Sequence, residues 1–518
     1  MRRQGDKGTG RGGEQGSGGA GEQGSGGAGE QGSRGAGVRG SKERVLAAWS
    51  GRPHDHVPLT TWCFGLQAPP HLRWERDGQE RTYWYSLRME HIHTLPQPSS
   101  NLQLPTSSFQ SSWDLEDDFR RVLAWQSLGV DDVLDVSVPW SVDPQVTWQD
   151  SRIPPPSPSP LPPAALPLSP PPATSPLSPP PPAPPLSPPS AAPPLRPPAC
   201  GLPPLPPACG GGGGGERYPV LVREYRTPSG SLRHAVRRTE DPEPGWVVQP
   251  EYVPLFEDYN IPRGVKHAVA SPAYVPIIRH LYRPPDAQAR AWFAARMEQV
   301  QPFAGRYGVP VQAWSAFGMD GIVWLAGAEG AVMMAMDDPR AFGDLVDAVA
   351  EADYGRTELA ASTPGVDMIV ERGWYSSTDF WSPRLFDAYV YPQVERLAAL
   401  AHRYGKKFCY TMTTGVERLG PRLADAGVDV LYFVDPVQDR LSLETVRELL
   451  GARMTLVGGT NALSLASGDR ERIRGEVRRA IEVLGPTNRF ILHPVDALFP
   501  DTPWEGVEHM IEAWQEYR

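Results

Sequence analysis

Five side chains with chemical capacity stand close together at Glu371, Arg372, Trp374, Tyr375 and Asp379. A carboxyl group can carry a proton, a guanidinium can hold an anion, and a phenol can donate to a leaving oxygen. The two rings can stack on a flat ligand. These residues follow Met368 to Val370, a short apolar run that reads as a buried strand. Ser382-Pro383 then fits an N-cap followed by proline in the first turn. Leu385, Tyr389, Val394, Leu397 and Leu400 give the next helix its buried face, and Gly405 stops it. A second strand, Lys407 to Met412, ends in Thr413-Thr414-Gly415. In a parallel sheet the loaded loop and the threonine-glycine turn would share one face.

The elements needed to position such a face recur along the chain. Candidate strands are Val57 to Trp62, Val133 to Val138, Val309 to Trp314, Asp367 to Val370, Lys407 to Met412, Val428 to Val434, Met454 to Val457 and Arg489 to Leu492. Helical patterns cover Lys42 to Trp49, Arg73 to Glu90, Leu115 to Leu128, Pro285 to Gln301 and Glu471 to Leu484. A β-hairpin is expected from Pro219 to Thr239, turning at Thr227-Pro228-Ser229-Gly230. Alternating strands and helices predict an α/β fold, and about eight units predict a (β/α)8 TIM barrel. The rival is an open doubly wound sheet, but no GxGxxG follows a strand.

In such a barrel the chemistry sits where the strands end. The successive ends offer Thr60, Thr61 and Trp62; Asp135 and Ser137; Trp314 and Ser315; the Glu371 loop; Tyr410, Thr411 and Thr413; Asp435; Thr460 and Asn461; and His493 with Asp496. The expected mouth is aromatic, hydroxyl-rich and acidic, which suits a flat or apolar small molecule held by a few polar groups. Substrate-binding candidates are Trp62, Asp135, Arg372, Trp374, Tyr375, Asp379, Thr411, Asp435 and Asn461. His54 and His56 precede the first strand, at the wrong end, and His91 and His93 have no third ligand near them in sequence. Cys409 lies inside a strand and reads as packing.

Composition narrows the class. Of 518 residues, 52 are glycine and 60 are proline, concentrated in two segments that cannot build a core. Residues 1–40 repeat GEQGSGGA and read as a disordered tail. Residues 153–216 are proline-rich and end in a glycine run, an insertion within a barrel domain spanning 41–518. The formal charge of −10 argues against a nucleic-acid binder. Four scattered cysteines argue against a disulfide framework or a cysteine-rich zinc site. No long apolar run or secretory leader is present, so no membrane span is expected and a reducing cytoplasm is the expected compartment.

The C-terminal run resembles the end of the uroporphyrinogen decarboxylase superfamily, through Gly459-Thr460-Asn461, Phe490-Ile491-Leu492 and Thr502-Pro503-Trp504-Glu505. Ser382-Pro383, Ala424 to Asp429 and Asp55-His56-Val57-Pro58 are also similar to the family. The resemblance implies a (β/α)8 barrel and either decarboxylation of a porphyrinogen or a related acid, or methyl transfer involving a corrinoid. The arginine-rich loop of true decarboxylases is missing from Thr61-Trp62-Cys63-Phe64-Gly65. The zinc-binding His-x-Cys turn of many methyltransferases falls near Met412 to Gly415 with neither ligand, so zinc is not expected. The Thr227 to Gly230 turn is similar to the methyltransferase-like branch. Methyl transfer is therefore the expected reaction, with Glu371 and Asp496 as acid and orienting base. Tyr410 or Tyr375 would hydrogen-bond the leaving oxygen, and His493 is a further candidate acid or base. A small-molecule substrate is expected, no cofactor is expected to be tightly bound, and a corrinoid protein and a second copy of the chain are the candidate protein partners. A non-catalytic barrel is the remaining alternative.

Overall fold

The computed structural model describes residues 40–86, 113–155, 218–239, 252–258 and 260–518. Residues 1–39 of the tail expected over 1–40, most of the proline-rich insertion, and His91 and His93 lie outside the described residues.

Short strands come first: β1 (Phe64–Gln67), β2 (Trp74–Arg76), β3 (Gln79–Arg81) and β4 (Tyr83–Tyr85). They correct the helix expected from Arg73. Asp77 and Gly78 both have positive φ, and this Asp-Gly pair turns β2 back onto β3 as a hairpin. After β5 (Leu134–Ser137), an antiparallel sheet forms from β6 (Thr147–Ile153), β7 (Val220–Thr227), β8 (Gly230–Arg237) and β9 (Gly264–Lys266). The expected hairpin is β7–β8.

The remaining strands are β10 (Val311–Ala316), β11 (Met368–Glu371), β12 (Lys407–Thr411), β13 (Val430–Val434), β14 (Thr455–Asn461) and β15 (Phe490–Val495). Together with β5 they form one parallel sheet of seven strands, ordered β15-β14-β13-β12-β11-β10-β5. The eight-stranded closed barrel is corrected at the first expected strand. Residues 57–62 make a single parallel bridge, Leu59 to Leu492. Pro58 has no N–H to give, and the Leu59 N–H goes to the Asp131 carboxylate at 3.3 Å rather than to a strand carbonyl. The fold is α/β and TIM-like, with a half-barrel sheet.

Strand side chains alternate between two faces. Ala313, Ile369, Phe408, Tyr410, Leu431, Leu456 and Leu492 join the flanking helices in one core. Trp314, Met368, Val370, Cys409, Val430, Tyr432, Val457 and Ile491 pack on one another across the inner face. The helix Ser41–Trp49 adds Val45, Ala48 and Trp49 to that inner core, and Thr455 at the start of β14 donates to the Ala48 carbonyl at 2.8 Å. This helix therefore covers the end of the sheet where the strands begin, leaving chemistry to the other end. Among the described residues no single helix is long and apolar enough to cross a membrane.

Arg44 anchors the covering helix. Its guanidinium meets Asp55 at 2.7 and 2.8 Å and also Asp131, which is 2% exposed. Arg44→Met would leave Asp131 buried without its cation. The expected cost is about 3–5 kcal/mol, read as a lower urea midpoint at unchanged slope.

Candidate active site at the strand ends

Three indoles fill the inner face near the strand ends. Trp62 stacks on Trp314 and on Trp374 with centroids 5.8 Å apart in each pair, and Trp314 lies 6.0 Å from Trp374. Phe433 closes the cluster, 5.7 Å from Trp374 and 6.2 Å from Trp62. Stacking of this kind adds to the area buried and orients the rings. Asp135 is two residues short of the end of β5. It accepts from the Trp314 indole and the Gln312 amide, both at 2.6 Å, and Tyr432 donates to Gln312 at 3.0 Å. Asp135 is only 2% exposed, so it braces Trp314 from within the fold.

Above this cluster lies an acidic rim. Asp496, just past β15, is partly exposed and accepts from the Trp374 indole at 3.2 Å. Loss of hydration pushes its carboxyl up to about 7. Asp435 accepts from Asn461 at 2.6 Å and from the Val437 and Gln438 amides at 2.8 and 3.1 Å. Burial raises it to about 6 even so. Asn461 accepts in turn from the Leu463 amide at 2.8 Å, so one amide side chain ties the ends of β13 and β14 together. His493 packs 5.0 Å from Phe433, and burial lowers it to about 3. It is neutral near pH 7 and has no proton to give as an imidazolium.

Arg372 joins this rim to the helix layer. It lies over Trp374 at 4.5 Å and Trp324 at 4.7 Å, a cation between two indole faces. Asp320 and Asp258 pair with it at 3.2 and 3.3 Å. Tyr375 binds the same two acids, its amide donating to Asp320 at 2.8 Å and its hydroxyl to Asp258 at 3.0 Å.

Glu371 and Tyr410 do not join the rim, which corrects their expected placement. They are register partners on β11 and β12 and both face the helices. The inward neighbour of each is apolar or small, Val370 and Cys409. Alternation then sends the next side chain outward. Tyr410 donates to Ser376 at 2.6 Å. Thr411 accepts from the Gly373 amide at 2.8 Å and braces the loop from behind. Asp379 is exposed and accepts from Thr414 at 2.8 Å, out on the loop. The structure thus brings together Trp62, Trp374, Asp435, Asn461, His493 and Asp496. It holds Asp135 below them and Arg372 with Tyr375 beside them.

Four participants were missed in the sequence. Asp320 was findable, because it follows β10 in the pattern Gly-Met-Asp-Gly at a strand end. Phe433 and Trp324 looked like ordinary core, and Asp258 sits in no periodic element at all. The rim combines a carboxyl that is half protonated near neutrality with an aromatic wall. It can protonate a leaving atom of a small ligand resting on Trp374 and Phe433.

Residues 321–517 match the family model described as Uroporphyrinogen decarboxylase (URO-D). No curated protein matches the chain. Among solved structures, a methyltransferase from Methanosarcina mazei is 16% identical, covering 92% of this chain and 99% of that one, with a TM-score of 0.46. A putative fructose-1,6-biphosphate aldolase from Coccidioides immitis is 14% identical over 47% of this chain and 90% of its own, TM-score 0.21. A 3-keto-D-glucoside 4-epimerase from E. coli is 12% identical over 49% and 96%, TM-score 0.26.

The raised Asp496 has a consequence for stability. Between its ordinary value of 3.8 and about 7, the unfolded chain gives up this proton while the folded chain keeps it. Folding therefore loses stability as pH rises through that window. Asp496→Asn removes the penalty and can still accept from Trp374. Its advantage in urea unfolding should be absent below about pH 4, grow up to about pH 7 and stay level above.

Proposed function

Residues 321–517 belong to the uroporphyrinogen decarboxylase superfamily; from that premise we propose that the chain transfers a methyl group from a small oxygen- or nitrogen-linked compound, with Asp496 as the acid. The carrying observation is the Asp496 carboxyl, held near 7 at an aromatic rim beside the Trp374 N–H. An alkoxide or phenoxide leaves poorly unless it is protonated as the bond breaks. In a methyl ether the oxygen–methyl bond breaks, the oxygen keeps the electron pair and Asp496 hands it a proton. The methyl carbon takes an electron pair from the acceptor. A reduced corrinoid, carried by a partner protein, would supply that pair.

The residues fit a corrinoid presented from outside. The inner face is occupied by three indoles, so a macrocycle has no room within it. At the rim, Val437 and Leu463 expose apolar surface beside Asp435 and Asn461. A resident zinc ion does not fit: the turn after β12 carries neither His nor Cys, and among the described residues no three His, Cys, Asp or Glu group as ligands. No step is routed through a metal held by this chain.

Trp374 and Phe433 would hold the apolar part of the substrate, and Asn461 keeps Asp435 turned toward β14. Arg372 already spends its charge on Asp258 and Asp320, and Asp135 lies buried against Trp314. Neither supports capture of a substrate rich in carboxylates, which counts against decarboxylation of a porphyrinogen.

The test compares two leaving groups with free cob(I)alamin as acceptor. On a methoxyarene, Asp496→Asn should lower kcat by about 10²–10⁴-fold. On a trimethylsulfonium donor, whose leaving group needs no proton, it should lose less than about tenfold. The wild-type rate on the methoxyarene should fall as pH rises through about 7, because the protonated carboxyl is the active form. Full turnover by D496N on the methoxyarene, or equal losses on both donors, would remove Asp496 from this role.

A further inference from the structure

The outward turn of Glu371 places an acid where the reaction at the rim does not use it. Its side chain points into a narrow cleft between the helices Gly318–Ala326, Pro339–Ser362 and Tyr391–Arg403. Glu371 is 2% exposed, and its Oε2 has no hydrogen-bond partner. A buried polar atom left unmatched is costly, because folding strips its water and puts nothing in its place. The cleft holds about 20 Å3, enough for one or two water-sized groups.

The surrounding charges are out of balance. Asp258, Asp320, Asp353 and Glu371 are four carboxyls, and Arg372 and Arg356 are the two guanidinium groups paired among them. Asp353 faces the same cleft, with its oxygens taken by Tyr282, Arg356 and the Phe317 and Gly318 amides. Glu371 is the acid left over. Gly318 lets it occupy this place, since a Cβ there would stand 2.5 Å from Oε1. The rest of the lining is mainly apolar: Met319, Ile322, Val346, Val349 and Leu397. The other wall contains a π-helical turn, Phe386–Val390, a local widening often found at functional sites. At the mouth of the cleft, exposed Arg396 lies over the Tyr354 ring at 4.1 Å.

We propose that this cleft binds a primary alkylammonium ion of one or two carbons, with the ammonium on Glu371 and the alkyl group among Met319, Ile322 and Leu397. A cation supplies the missing charge and the N–H donor that Oε2 lacks. An inorganic ion is the poorer fit, because sodium or calcium needs several oxygen ligands and the lining is apolar. The size of the cleft excludes a quaternary ammonium. The site faces the helix layer, so it is separate from the rim and does not depend on the reaction proposed there.

The experiment is calorimetric titration of the full chain with methylammonium chloride at constant ionic strength. Saturable binding is expected, with net proton release when the measurement is repeated in buffers of different ionisation enthalpy. Binding should tighten as pH rises, since burial beside Asp353 and Asp320 favours the protonated carboxyl and the cation binds the carboxylate. Glu371→Gln should weaken binding at least about tenfold. Ala350→Phe, which narrows the same cleft without touching the acid, should also weaken it, so a folding defect in one variant does not decide the matter. Potassium and tetramethylammonium should each bind at least about tenfold more weakly. No saturable methylammonium binding by the folded wild type, or equal heats with potassium, would overturn the proposal. So would unchanged affinity in folded E371Q.

Discussion

A buried guanidinium needs both charge and surface to offset its lost hydration, and Arg372 obtains both from three separate parts of the chain. Asp258 arrives from the segment before β9, Asp320 and Trp324 from the helix after β10, and Trp374 from its own loop. Each partner is held by the same ion it stabilises. Trp374 is pressed against the arginine on one side and the other two indoles around it, and its N–H is thereby aimed at Asp496. Tyr375 is fixed by the same acids. The geometry of the rim therefore rests on one cation, and removing it would free two carboxylates and an indole together.

Side-chain alternation is the second constraint. Glu371 and Arg372 are neighbours in sequence, yet the first serves the helix layer and the second the strand ends. The parity is set by Val370, whose place in the inner core leaves no choice for the next residue. One face thus acquires a partly exposed acid against aromatic rings, and the other a sealed acid in an apolar cleft. Burial raises both carboxyls, but the surroundings differ. Asp496 has an indole N–H to accept from and Arg372 near enough to favour its charge, whereas Glu371 has two further carboxyls that oppose it. The same residue chemistry therefore suits the two proposed purposes, proton donation at the rim and cation capture in the cleft.

Filling the inner face with indoles also limits what the rim can do. Aromatic stacking there leaves bulky ligands no room in the sheet interior, so the proposed substrate would lie over Trp374 and Phe433 rather than within the sheet. The loss of hydration that raises Asp496 and Asp435 follows from this packing. Closure of the opposite end by the Ser41–Trp49 helix leaves the strand ends as the open side.

The alternating rhythm of strands and helices was legible in the sequence, because apolar runs and their turn residues are local. All six strands from β10 to β15 lie where the pattern put them, and so did the β7–β8 hairpin and the Ser382-Pro383 start. Membership of the rim was legible for Trp62, Trp374, Asp435, Asn461 and Asp496, since a strand end names its candidates by position alone. Whether the first run would complete a ring was not, because that depends on where the Leu59 N–H finds its acceptor. Nor was the sidedness of Glu371 and Tyr410: Met-Ile-Val-Glu and Phe-Cys-Tyr-Thr are buried on both faces, and a run without polar alternation carries no parity. Asp258 was beyond reach, and so was the pairing of Asp320, for the same kind of reason. Their partner is Arg372, and only the folded chain brings residues more than fifty positions apart to within 3.3 Å of one guanidinium.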